Sequence, residues 1–148
     1  MVHGFGGSAC LYYPIYKKLL EHFRIVAIDM LGFGASSRVR IREEVLCSPS
    51  ATDTYQLSWL QAWLNQMSLN QELPEKFYLH GHSYGGYLSS LLACANPDRI
   101  AALFLNSTIG AEPEPSEYNF LNLRLRSGAQ KPEPEMVTRL MKMQWENQ

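Results

Sequence analysis

The chain has 148 residues, 46% of them hydrophobic and 18% charged, which is room for one domain of ordinary size with a real core. Its 13 Lys+Arg and 14 Asp+Glu give a formal charge of −1 and a pI near 6.4, so charge supplies no reason to bind nucleic acid or an anionic membrane surface. No apolar run reaches the ~20 residues of a membrane span, and MVHGFGG at the start lacks the basic and apolar regions of a signal peptide. Cys10, Cys47 and Cys94 lie far apart and have no metal-ligand spacing with histidine, so neither a zinc site nor a disulfide framework is expected. The default expectation is a reduced, cytoplasmic chain without metal or cofactor.

In chain order, Leu11–Phe23 places Leu11, Ile15, Leu19, Leu20 and Phe23 on one helical face, with Pro14 in the first turn. Arg24–Met30 (RIVAIDM) is a β-branched apolar run suited to a strand covered on both faces. Ala35–Thr52 reads as a loop, and its Arg38, Arg40 and Arg42 as a solvated stretch rather than a binding strip, because Glu43 and Glu44 follow. Asp53 or Thr54 is expected to cap a helix ending near Leu69, with Trp59, Leu60, Trp63, Leu64 and Met67 as a core stripe. Lys76–Ser83 (KFYLHGHS) and Ile100–Ser107 (IAALFLNS) are further strands, separated by a helix over Gly85–Ala95. Strands alternating with amphipathic helices predict an α/β fold with a mostly parallel sheet. Beyond Gly110 the proline-punctuated EPEP and KPEPE stretches introduce two short helices, around Phe120–Leu125 and Met136–Met143, that leave the sheet.

Chemistry concentrates at Gly81-His82-Ser83-Tyr84-Gly85, a G-x-S-x-G placed between a strand and a helix. A serine on such a tight turn is held in a strained conformation that lifts its hydroxyl above the sheet edge, and small residues are needed on both sides because strand and helix nearly touch. The Tyr84 N–H then faces the reacting carbonyl at a helix N-terminus. His3-Gly4-Phe5-Gly6-Gly7 is a second such element, where the Phe5 N–H is the natural partner donor. Gly32-Phe33-Gly34 is not a dinucleotide fingerprint: Ser37 stands where its third glycine would fall, and Asp29 precedes the glycines instead of following them.

The order HGFGG, then DMLGFGASS (Asp29–Ser37), then GHSYGG resembles the α/β-hydrolases, and most closely the abhydrolase domain-containing proteins of types four and five. The resemblance implies an incomplete α/β-hydrolase fold: a partial core over residues 1–110 and the start of a helical cap or lid over 111–148. It implies Ser83 as nucleophile, the N–H groups of Phe5 and Tyr84 as oxyanion donors, and His3, Gly4, Gly81, His82 and Gly85 as motif positions. In the family's strand order, the strand preceding the HG motif lies between Arg24–Met30 and Phe77–His80. Only Met1 and Val2 could belong to it here, so two unpaired apolar edges are expected in mid-sheet.

A hydrolase triad runs Ser, acid, His along the chain. The four histidines, His3, His22, His80 and His82, all precede Ser83, and the one aspartate after it is Asp98. His82 is expected to point into the turn and His80 to lie on the strand, so neither reads as the base. The resemblance therefore implies a serine esterase or lipase acting through an acyl-enzyme on a lysophospholipid- or acylglycerol-type ester or amide, present here as a fragment that is inactive by itself. Transfer of the acyl group to another lipid stays open, as does a non-catalytic lipid-associated scaffold. The partner is a small-molecule or lipid ester, without nucleic acid or transmembrane anchor and with peripheral lipid association.

Overall fold

A computed structural model describes residues 1–42, 45 and 48–110. The helices are α1 (Tyr13–Leu19), α2 (Pro49–Leu69) and α3 (Tyr84–Ala95), and two regular strands, β1 (Phe77–His82) and β2 (Ile100–Asn106), pair in parallel and are joined by the crossover helix α3. The α/β reading holds, and the three elements from β1 to β2 fall within a residue or so of their expected bounds. Along β1 the pleat alternates: Leu79 and Gly81 are buried under α3, while Tyr78 faces away and is exposed.

The mid-sheet gap expected from the sequence is bridged at one point, by Val2. Val2 is only 2% exposed and forms parallel bridges to Ile28 on one side and Gly81 on the other. The Val2 N–H donates to His80 O at 2.8 Å, the His82 N–H to Val2 O at 3.1 Å, and the Ile28 N–H to Met1 O at 3.1 Å. Successive residues of a strand turn their N–H and C=O to alternate edges, so Val2 bonds β1 while Met1 bonds the Val26–Ile28 segment, and two residues serve both neighbours at this one point. The 24–30 run is accordingly not a regular strand: it has one bridge, at Ile28. Its other side faces a cavity of about 510 Å³ lined by Val26, Ile28, Leu31, Trp59 and Trp63.

Two expectations for the helices are corrected. The Leu11–Phe23 stripe does not form a buried face: Leu11, Ile15, Leu20 and Phe23 are exposed. The segment opens as a 3₁₀ turn (Ala9–Tyr12) that takes in Leu11, and α1 ends at Leu19, so Leu20 and Phe23 lie past it and the five residues never share one 3.6-residue period. Tyr12 docks instead, donating from its hydroxyl to Val2 O at 2.7 Å and meeting the His80 ring edge-on at 5.3 Å. The second correction concerns α2, which begins at Pro49. Ser48 is its N-cap, accepting from the Ala51 N–H, and Pro49 sits where its missing N–H costs nothing. Asp53 is thereby freed from capping.

The core joins Val2, Met30, Leu60, Leu64, Leu79, Leu88 and Leu92, so α2 and α3 pack on one face of the sheet. Leu60, Leu64 and Leu88 are fully buried, while the tryptophans Trp59 and Trp63 pack at its margin. Replacing Leu64 by alanine is expected to cost about 2–5 kcal/mol, from lost transfer energy and the cavity left behind. Chemical denaturation checks this, and a loss below about 1 kcal/mol would contradict the packing described. No helix among the described residues is long and apolar enough to cross a membrane. The helices expected around Phe120–Leu125 and Met136–Met143, and with them the cap, lie outside the described residues.

Candidate active site

Ser83 stands between β1 and α3 with φ 54° and ψ −121°, a left-handed conformation that costs a residue with a Cβ about 1–3 kcal/mol. The turn is held through its backbone: the Ser83 N–H donates to Asn106 O at 2.9 Å, and Ser83 O accepts from the Gly86 N–H at 3.0 Å. Its side chain is not spent on capping the helix. A Cβ built on Gly81 would lie 2.5 Å from Gly85 O and 2.6 Å from the Gly86 Cα, so the strand and the helix do nearly touch here. One on Gly85 would strike His3 O and sit 2.5 Å from Val2 O. The glycines of the motif are thus required by backbone closeness.

The HG loop lies against this turn. A Cβ on Gly4 would be 3.0 Å from the Ser83 Cβ and 3.1 Å from His82 Nδ1. Among the described residues, the N–H groups of Phe5 and Tyr84 have no backbone carbonyl as partner. Neither N–H is spent on a backbone carbonyl of the described residues, and one stands on each segment beside the serine. His3 fixes the loop from below: it is fully buried, with Nδ1 2.8 Å from Gly4 O and Nε2 accepting from the Met30 N–H at 2.9 Å. These bonds require the tautomer protonated at Nδ1, an inference from partners.

Asp29 ties the same region together, accepting from the Ala9 N–H at 2.6 Å and the Ala35 N–H at 2.8 Å. Partial burial opposes its charge, but the amides of Ala35 and Ala9, helped by Arg38, hold its carboxyl below the ordinary value. A carboxyl lowered on folding contributes stability that is complete above the unfolded value of about 4 and is lost as pH falls through the folded one. Asp29→Asn is therefore expected to flatten the acid limb of the stability profile below about pH 4. Denaturation midpoints across that range check it, and an unchanged acid limb would contradict it. The nearby arginines are exposed as expected, and Arg38 donates to Gly34 O and Ser36 O within its own loop.

Aromatic rings surround the turn. Phe5 meets Phe33 at 5.2 Å and Tyr84 at 6.5 Å, and Tyr84 stacks on Tyr87 at 6.2 Å. The Tyr87 hydroxyl donates to Asp53 Oδ2 at 2.7 Å. That hydrogen bond, with some burial, raises the Tyr87 phenol above its usual value, whereas Tyr84 is raised by burial first and by Asp53 second. Both are therefore neutral phenols at ordinary pH. Phe33, Tyr87 and Asp53 were not among the sequence candidates. The one available signal was Tyr87, a helical turn beyond Ser83.

No histidine ring hydrogen bond among the described residues reaches Ser83. His80 packs on Tyr12, and its buried Nδ1 has no hydrogen-bond partner there. Burial above all, then the amino terminus and His82, lowers its pKa, so its ring is held neutral. Asp98 sits in the turn after α3, beyond about 18 Å of helix from Ser83. No group of three or more His, Cys, Asp or Glu side chains is placed to hold a metal among the described residues.

These features coincide with what comparison with known proteins finds. A family model described as alpha/beta hydrolase fold matches residues 1–146. A 1-acylglycerol-3-phosphate O-acyltransferase of Arabidopsis thaliana is 32% identical over 115 residues, which is 77% of this chain and 25% of that protein. The abhydrolase domain-containing protein abhd-5.2 of Caenorhabditis elegans is 33% identical over 105 residues, 71% of this chain and 22% of its own length. A human (lyso)-N-acylphosphatidylethanolamine lipase is 31% identical over 105 residues, 71% of this chain and 28% of the lipase. The chain thus spans about a quarter of the length of these curated relatives. With a family model covering nearly all of it, the chain belongs to the alpha/beta hydrolase fold family.

Proposed function

We propose that these residues carry the nucleophile and oxyanion elements of a serine hydrolase acting on carboxylic esters or amides of lipids. The observation that carries the reading is Ser83, held at φ 54° between β1 and α3 with Gly4 of the HG loop against it. The Ser83 hydroxyl attacks the acyl carbonyl, forming a C–O bond as its proton passes to a base. The N–H groups of Phe5 and Tyr84 stabilise the tetrahedral oxyanion, each such donor being worth about 3 kcal/mol. Collapse breaks the bond to the leaving alcohol or amine, which takes up the proton, and water then releases the acid from the acyl-enzyme. No histidine follows Ser83 within these 148 residues, so the base of the reaction is not assigned among them. Residues 1–110 serve as the core of that site and 111–148 as the start of a cap, and the lipid substrate brings peripheral lipid association.

Acyl transfer to a second lipid is the alternative reading, favoured by the O-acyltransferase names of the plant relatives. Both chemistries share the acyl-enzyme, so the acceptor decides between them. The natural protein bearing these residues is to be given a labelled lipid ester with and without a lysophospholipid acceptor. Free acid as the main product in both conditions is expected. Label moving chiefly to the acceptor would replace hydrolysis by transfer, and no turnover of either kind would leave the scaffold reading.

A further inference from the structure

The rings beside Ser83 form a continuous contact chain from Phe33 through Phe5 and Tyr84 to Tyr87. Phe5 is 53% exposed even though it is apolar and sits at the mouth of the turn. The other end is anchored: Tyr87 on α3 bonds to Asp53 on α2, 34 residues earlier in the chain. A ring stacked on an anchored ring keeps its place without a ligand, as a preformed subsite needs.

The chemistry of this chain of rings points to one occupant. Tyr84 follows Ser83 in the chain, and Phe5, whose ring meets that of Tyr84, follows Gly4, the residue that packs against Ser83. Ring surfaces gain by covering methylenes, about 0.8 kcal/mol for each one buried. The charged member of the set, Asp53, is an anion and repels a phosphate head group from the Tyr87 end.

We propose that Phe5, Phe33 and the Tyr84 ring form the subsite for the first part of the substrate's acyl chain, and that Tyr87 and Asp53 are positioning residues for the Tyr84 ring. The proposal rests on Ser83 being the nucleophile. Its test uses the natural protein and two phosphonofluoridates, one with an ethyl and one with a dodecyl chain. With either probe Ser83 Oγ bonds to phosphorus and fluoride leaves, so the ratio of the two inactivation rates reads chain recognition alone. Because both rates are taken on one preparation, any loss of folded protein cancels.

The wild-type protein is expected to prefer the dodecyl probe. Phe33→Ala should lower that preference roughly tenfold, and Phe33→Leu should retain most of it. Tyr87→Phe keeps the stacked ring but loses the bond to Asp53, and should lower the preference less, in the same direction. An equal ratio in wild type and variants, with Ser83 still reacting with the ethyl probe, would overturn the subsite and leave the hydrolase reading intact. Failure of the wild type to react with either probe would overturn both.

Discussion

Replacing Ser83 by alanine is expected to reduce ester turnover by the natural protein at least about a thousandfold while leaving its fold in place. The Ser83 side chain caps nothing, and the turn is held by backbone bonds to Asn106 and Gly86 that alanine also makes. A glycine variant separates chemistry from strain further. At φ 54° a Cβ is disfavoured, so Ser83→Gly should be as inactive as alanine yet more stable than wild type by about 1 kcal/mol. Turnover and denaturation midpoints measured on the three proteins check both parts. Substantial activity in either variant would remove Ser83 from the reaction, and a destabilised glycine variant would show that the turn is not strained.

The second large effect is structural. Gly85→Ala is expected to destabilise the protein by about 3 kcal/mol or more, at the upper end of overpacking costs. The added methyl would meet His3 O and Val2 O, both backbone atoms of the segment that fills the middle of the sheet. Neither carbonyl has a rotamer through which to escape. Gly7→Ala is the internal comparison, because its nearest obstacle is the mobile end of the Leu11 side chain. Denaturation of the two variants should rank Gly85→Ala well below Gly7→Ala. The reverse order would mean that the HG segment does not lie against the elbow as described.

Much of this site was legible because its signals are local. A strand, a glycine-flanked serine and an apolar helix within Phe77–Ala95 specify the elbow from adjacent residues, and β2 follows from one apolar run. What was missed depends on distant partners. The docking of Tyr12 rests on Val2 and His80, which a periodic pattern cannot register, and the motif position of His3 gave no sign that its partner is Met30. The Leu11–Phe23 stripe failed because the helix runs only from Tyr13 to Leu19, with Leu11 in a 3₁₀ turn before it and Leu20 and Phe23 beyond it. The α2 start was misplaced because Ser48 and Pro49 supply a stronger signal than Asp53, whose carboxylate is used by Tyr87 instead. Two unpaired edges were expected beside Met1 and Val2, and these two residues bridge them at one point, a contact no local pattern announces.

The account depends most on Ser83 being an activated nucleophile, and one measurement addresses that directly. The natural protein is to be treated with a fluorophosphonate, digested, and the adduct located by mass spectrometry. The expected result is a single phosphonylated site at Ser83, absent after prior denaturation. An adduct on another residue, or none in folded protein that binds lipid, would contradict the account.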